Sequence, residues 1–330
     1  MHDSRNECKR NDAPRVAICI ATFQRTEQLR DLLVALGRLS FDNICPRHID
    51  VIVVDNDAAR SAESVCDIHQ DYPWTIRYVC EPNRGIARAR NRAIAEGADA
   101  EFLAFVDDDE RPEARWLDEL LWTRSQFQAD VVSGPVFPEY TGEVPGWIRN
   151  GGFFRRPVFR TGNIVELCST NNVLIRSAIL AKVSGFDEQF NLTGGEDTHF
   201  FLRVGGSGYR MVFSSDAVVY ERITAKRANL FWLLRRGYQS GNSWALCERD
   251  LKPEPRVTVT RGLKGIAHIC RGLARVPGSL CVGKAAVVRA LQELCAGAGM
   301  LAGVVGYRFL PYRDAGLNAI AGPTETTHRP

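Results

Sequence analysis

The sequence predicts an α/β fold, an α/β/α sandwich around a mostly parallel sheet with a helical region after it, and three observations carry that reading. Short β-branched or aromatic runs of strand length alternate with stretches whose apolar residues recur at helical spacing. The strand runs are continuously apolar, as in a sheet covered on both faces, where a one-sided sheet would alternate. From Asn229 onward the pattern is helical.

In order along the chain, "RVAICIATF" (15–23) is the first strand run, and Leu29, Leu32, Leu33 and Leu36 mark the helix after it. "IDVIVVDND" (49–57) and "TIRYVCEPN" (75–83) are the next two strands; Ile86, Ala89 and Ala93 mark a second helix, "EFLAFVDDD" (101–109) a fourth strand, and Trp116, Leu117, Leu120 and Leu121 a third helix. Residues 130–175 are rich in Gly, Pro and aromatics and read as a long surface excursion leading into "CSTNNVLIRS". A Gly-rich loop, a helix from about Glu196, a turn and two short strands follow. Three helical segments end the chain; in the last, the apolar stretch after Glu293 is only about 13 residues, short of the roughly 20 that span a bilayer, so it is expected to lie on a membrane rather than cross it. Residues 1–14 read as a flexible tail without the apolar core of a signal peptide, 15–225 as a catalytic domain and 226–330 as a basic amphipathic helical region.

Composition narrows the function. A 45% hydrophobic content over 330 residues excludes a disordered chain. The ten cysteines are scattered, with no CxxC and no regular spacing, and read as reduced thiols in the cytoplasm. The net charge of +3 is unevenly distributed: from Arg222 onward 17 Lys and Arg face 6 Asp and Glu, a local +11 against −8 for the rest. A basic end on an acidic body points to an anionic surface: phospholipid, polyphosphate or nucleic acid.

The strand ends carry the chemistry. In a parallel sheet the ligand crevice lies beyond the carboxyl ends of the strands. There the first run ends in Thr22, the second in Asp55, Asn56 and Asp57, and the fourth in Asp107, Asp108 and Asp109. Like charges so stacked need a cation; adjacent carboxylates suit a hard divalent ion shared with nucleotide phosphates. No calcium loop of the EF-hand type and no phosphate-cradling glycine loop is present, so metal and the basic helix start, with Arg84, Arg88, Arg90 and Arg92, are the candidates for meeting phosphate.

Thr22 after "AICIA", then "VIVVDN", "NRGIARARN", "FVDDDERP" and "GGED", in this order, resemble the signature of family 2 glycosyltransferases, inverting enzymes of the GT-A fold, over roughly residues 15–221. The resemblance implies that Asp55 binds the nucleobase with Thr22 beside it, and that Asn83, Gly85, Ala89, Arg90 and Asn91 line the nucleotide pocket. It places the Asp-x-Asp element on Asp107 and Asp109, holding Mg²⁺ or Mn²⁺ against the diphosphate with Asp108 between them. Glu196 and Asp197 become the catalytic pair, Asp197 as general base. Asn171 and Asn172 are then expected near donor sugar or acceptor, and Trp147 as a platform for a sugar ring. His199 stands where many members carry an acid, with a supporting, metal-binding or surface role open.

The basic helical end is similar to that of bacterial exopolysaccharide glycosyltransferases. It implies a saccharide or polyprenyl-diphosphate-linked acceptor, an anionic membrane surface rather than nucleic acid as partner, and a peripheral place on the inner face of the membrane; Arg235 and Arg236, just past the aromatic-aliphatic patch of "LFWLLRRGYQSG", are expected near the acceptor diphosphate. The expected activity is transfer of a hexose, from UDP by family habit, to a hydroxyl. The competing expectations are a sugar nucleotidyltransferase, for which the glycine- and lysine-bearing loop after the first strand is missing, and a non-catalytic carbohydrate-binding protein, against which the intact acids speak.

Overall fold

A computed structural model describes residues 13–67 and 71–311. The expected tail, apart from Ala13 and Pro14, and the last part of the basic region lie outside the described residues. In chain order the elements are β1 (Arg15–Thr22), α1 (Thr26–Leu36), β2 (His48–Asp55), α2 (Glu63–Cys66), β3 (Thr75–Cys80), α3 (Ile86–Glu96), β4 (Phe102–Val106), β5 (Glu110–Pro112), α4 (Trp116–Phe127) and β6 (Val131–Ser133). They continue with β7 (Val136–Thr141), α5 (Gly146–Arg149), β8 (Asn172–Arg176), α6 (Leu180–Val183), α7 (Glu196–Gly206), β9 (Met211–Phe213), β10 (Val219–Thr224), α8 (Leu230–Leu251), α9 (Pro255–Val282) and α10 (Lys284–Val304).

The main sheet has the order β3-β2-β1-β4-β8-β6-β9, and only β8 runs against the rest. The unbroken apolar strands are explained by two buried faces. In β1, Val16, Ile18 and Ile20 join a core with Leu29, Leu32, Leu33 and Leu36 of α1 and Trp116, Leu117, Leu120 and Leu121 of α4. The alternate residues Ala17 and Cys19 join Ala87, Ala89 and Ala93 of α3 and Phe200, Phe201 and Val204 of α7 on the other face. The period of two therefore serves two cores at once.

The stretch 130–175 differs from the expected excursion. It contributes β6, buried in the main sheet between β8 and β9, and β7 of a second sheet ordered β5-β10-β7. β6 is three residues long, too short for a periodic signal. The second sheet matters for the site: β5 follows Asp109 directly, and Arg222 of β10 donates its N–H to the Asp109 carbonyl at 3.0 Å, which brings the segment after β10 over the strand-end acids.

The last helix also departs from expectation. α10 runs for 21 residues and contains an 18-residue window of mean hydropathy 1.3, long and apolar enough by composition to cross a membrane, because the helix starts nine residues before Glu293. It packs between α8 and α9 at a backbone-to-backbone spacing that only glycine permits: a Cβ at Gly299 would sit 2.1 Å from the Tyr238 carbonyl oxygen, and one at Gly241 2.0 Å from that of Ala296. α8 in turn is tied to the start of α7, where Gln239 and Ser243 donate to the Thr193 carbonyl at 3.3 and 3.4 Å and the Cys247 thiol to that of Gly195 at 3.3 Å.

Candidate active site

β4 ends at Val106, and the three aspartates beyond it fan out to three arginines. Asp107 accepts from Arg90 at 3.1 Å. Asp108 turns inward, accepting from the Thr22 hydroxyl at 2.8 Å and from Arg25 at 2.8 Å. Asp109 lies 3.3 Å from Arg25 and 3.2 Å from Arg227 of the segment after β10. The repulsion expected from the sequence is thus answered by interleaved guanidiniums. Burial pushes the Asp109 carboxyl up to about 6 and raises Asp108 as well, with Arg25 opposing both. Glu110 is driven well above the usual range by burial and by Asp107, and its carboxyl accepts the Asp107 N–H at 2.9 Å.

Asn56 organises the next wall. Its amide donates to the carbonyls of Glu81 and Asn83 at 2.8 and 2.9 Å and accepts the Gly85 N–H at 2.7 Å, which fixes the loop that launches α3. α3 then carries Arg90 inward. Its other arm holds Glu196 at the start of α7, so one guanidinium bridges the β4 acids and the α7 acids. Gly194 and Gly195, with φ of 72° and 93°, make the left-handed turn that sets this helix start. Glu196 is buried, its carboxyl pushed up to about 7 by desolvation against the pull of Arg90, and its second oxygen, Oε2, has no hydrogen-bond partner. Asp197 is held by the Ser169 hydroxyl on Oδ2 at 2.9 Å and by the Thr198 N–H on Oδ1 at 2.6 Å.

The structure therefore gathers Thr22, Arg90, Asp107, Asp108, Asp109, Glu196 and Asp197 around one region. Other expected residues are engaged elsewhere. Asp55 has no exposed surface and accepts from the Ala62 and Asp57 N–H groups at 2.7 and 3.1 Å and from the Tyr78 hydroxyl at 3.1 Å, so it shapes the loop after β2 instead of opening toward a base. Asn91 exchanges two hydrogen bonds with the Phe186 backbone. Asn172 is 1% exposed, accepting from the Trp116 indole at 2.8 Å and donating to the Pro135 and Ala217 carbonyls at 2.9 and 2.7 Å; a sugar contact is closed to it. Asn171 is buried beside it, and Asn83 is exposed on the loop that Asn56 pins. Trp147 packs edge-on against Phe153 with the Lys284 ammonium over its ring, an anchor between α5 and α10 and not an open platform.

Of the basic helix start only Arg90 enters the site. Arg84 stacks on Phe23, and Arg88 and Arg92 pair with Glu188 and Glu96. His199 is no surface residue: it is 2% exposed, its Nε2 lies 2.8 Å from Asp250 of α8, and Asp187 is close enough for the three to offer ligand atoms within 4.8 Å of one another. Arg235 and Arg236 lie on α8, bonded to the Pro311 carbonyl and to Gln239. Arg25 and Arg227 were not anticipated. No periodicity or motif marks them, because their partners are 83 and 118 residues distant.

The sequence model of Glycosyl transferase family 2 matches residues 17–183, half of the chain, from within β1 to the end of α6. The chain belongs to glycosyltransferase family 2. The succinoglycan biosynthesis protein ExoM of Rhizobium meliloti is 35% identical over 236 residues, 71% of this chain and 75% of ExoM. The glucosyl-dolichyl phosphate glucuronosyltransferase of Haloferax volcanii is 22% identical over 240 residues, 69% of this chain and 75% of that protein. The mannosyltransferase PcManGT from Pyrobaculum calidifontis, solved with GDP-Man and Mn²⁺, superposes with a TM-score of 0.62 at 18% identity over 89% of this chain and 88% of its own. S. aureus TarS residues 1–349, solved with UDP-GlcNAc, does so with a TM-score of 0.51 at 15% identity, over 91% of this chain and 97% of its own. The fold of this family 2 glycosyltransferase is GT-A, with the helical layer α8 to α10 added at its end.

Proposed function

We propose that this chain is a metal-dependent, inverting glycosyltransferase that moves a hexose from a nucleotide diphosphate, UDP by preference, to a hydroxyl of a saccharide or polyprenyl-diphosphate-linked acceptor in exopolysaccharide assembly. The likeness to ExoM supports the pathway. The observation that carries the chemistry is the bridge from Asp107 through Arg90 to Glu196, because it sets two acid groups with opposite tasks on either side of one buried guanidinium.

The carboxylates of Asp107 and Asp109 are hard oxygen donors in a partly open position, with side chains 41% and 17% exposed, and they fit a Mg²⁺ or Mn²⁺ ion. Such an ion supplies charge stabilisation for the departing nucleoside diphosphate. The chain's own residues do the rest. Thr22 and Arg25 keep Asp108 turned away, which leaves its two neighbours for the ion. Asp197, oriented by Ser169 and Thr198, takes the proton of the attacking hydroxyl, a role worth about 10²- to 10⁴-fold. The unpartnered Oε2 of Glu196 is an acceptor held for a substrate hydroxyl. Nucleobase recognition falls to the loop that Asp55 shapes.

The test is binding and hydrolysis of a panel of nucleotide sugars with and without Mn²⁺, alongside transfer to a lipid-linked acceptor. Asp109→Ala is expected to abolish metal-dependent binding, and Asp197→Asn to retain binding and lose transfer by at least about 10²-fold. Transfer by Asp197→Asn at the unmodified rate sinks the base assignment.

A further inference from the structure

α9 presents an apolar seam that nothing in the described chain covers. Val259, Leu263, Ile266, Leu273 and Leu280 are 60, 61, 50, 58 and 68% exposed, spaced by three, four or seven residues with Cys270 between, so they lie along one side of the helix. The seam runs over 22 residues, a rise of about 31 Å at 1.5 Å per residue step. The opposite side is the packed one: Gly265, Gly272 and Arg261 are buried, Gly265 and Gly272 against α10 and Arg261 against Glu248 of α8.

Charge decides what covers the seam. α9 carries Arg256, Arg261, Lys264, Arg271 and Arg275 and no Asp or Glu. Arg261 is spent on Glu248, and Arg271 and Arg275 share the single carboxylate of Glu293. Arg256 and Lys264 have no acidic partner within salt-bridge distance among the described residues, and with Lys252 they line a cleft of about 520 Å³ between the end of α8 and the first turns of α9, whose other walls are Val257, Thr260, Arg261 with its partner Glu248, and Glu254, so that bases outnumber acids there by four to two. A second copy of this helix laid on the seam would set basic rows against each other. An anionic surface would meet both features, with apolar depth for the seam and phosphate for the cleft.

We propose that the Val259–Leu280 face of α9 is a membrane-docking surface that lies in the interface of an anionic bilayer, with Lys252, Arg256 and Lys264 gripping lipid phosphates. This deepens the reading of a lipid-linked acceptor and rests on it for its purpose; its geometry stands independently.

The experiment is co-sedimentation of the full chain with phosphatidylglycerol/phosphatidylcholine vesicles and with phosphatidylcholine vesicles alone, with vesicle-free donor hydrolysis and thermal unfolding measured on the same samples. Binding is expected on the anionic vesicles and to fall as salt rises. The triple variant Leu263→Ser, Ile266→Ser and Leu273→Ser should lose about tenfold or more of the partitioning, and Arg256→Ser with Lys264→Ser about fivefold per charge at low salt, with unfolding and hydrolysis unchanged. Equal partitioning of the triple variant, equal binding to neutral vesicles, or a vesicle-free dimer that the triple variant dissolves would overturn the proposal. Loss of donor hydrolysis by the unmodified chain would instead strike the glycosyltransferase chemistry and leave the docking result intact.

Discussion

Arg90 reaches Asp107 at 3.1 Å with one arm and Glu196 with the other, so the acids at the end of β4 and the acids at the start of α7 share one buried cation. Removing it strands Glu196 in a dry site. Arg90→Ala is expected to cost about 3–5 kcal/mol of stability, the range for breaking a buried pair from one side, and Arg90→Lys to keep the fold but reduce transfer, since an ammonium does not span two carboxylates in a fork. Denaturant unfolding and transfer rates on both variants check this; an active, stable Arg90→Ala would show that the bridge is incidental.

Arg227 competes with any cation for Asp109, from 3.2 Å. Arg227→Ala should lower the Mn²⁺ concentration for half-maximal donor binding by about fivefold, the order of 1 kcal/mol for one partly exposed pair. Titration calorimetry at fixed donor reads it, and an unchanged metal requirement would mean that the two do not compete.

Asn172 was expected near sugar, yet it fastens α4 to the loops before β7 and β10 through Trp116, Pro135 and Ala217. Asn172→Ala leaves an indole N–H and two carbonyls unmatched, each at about 1–3 kcal/mol. A large fall in melting temperature with unchanged KM for donor is the expected pattern. A change in KM without loss of stability would restore the sugar contact.

His199 gives the fold a dependence on pH. Burial holds its pKa below the usual 6.5, with Asp250 pulling the other way. The unfolded chain therefore takes up the proton first, and stability falls as pH drops below about 6.5 until the folded pKa is passed. The raised carboxyls of Glu196 and Asp109 act in the opposite sense over the same range, since the folded chain takes up their protons first, so the His199 contribution is read as the difference in thermal unfolding between the unmodified chain and His199→Gln from pH 8 to pH 5, a gap expected to narrow as pH falls.

Much of the architecture was legible because β1, β2 and β4 carry buried apolar runs that end in polar residues at one edge. The acids at the end of β4 and at the start of α7 were each marked by their own motif. The counter-charges were not: Arg25 and Arg227 meet Asp108 and Asp109 only through the tertiary fold. Nor was the fate of Asp55, Asn91 and Asn172, whose amide and carboxylate groups fit backbone partners as well as a ligand. β6 was missed for its length, and the extent of α10 for the charges in its first half.

The bonds from Gln239, Ser243 and Cys247 to the turn before Glu196 carry a consequence for engineering. Cutting the chain near residue 225 would strip the support from the very turn that aims the α7 carboxylates, so a minimal catalytic fragment ending there should be misassembled. Chimeras that trade acceptor preference between relatives need to exchange α7 and α8 as one cassette, with the crossover placed upstream of Thr193.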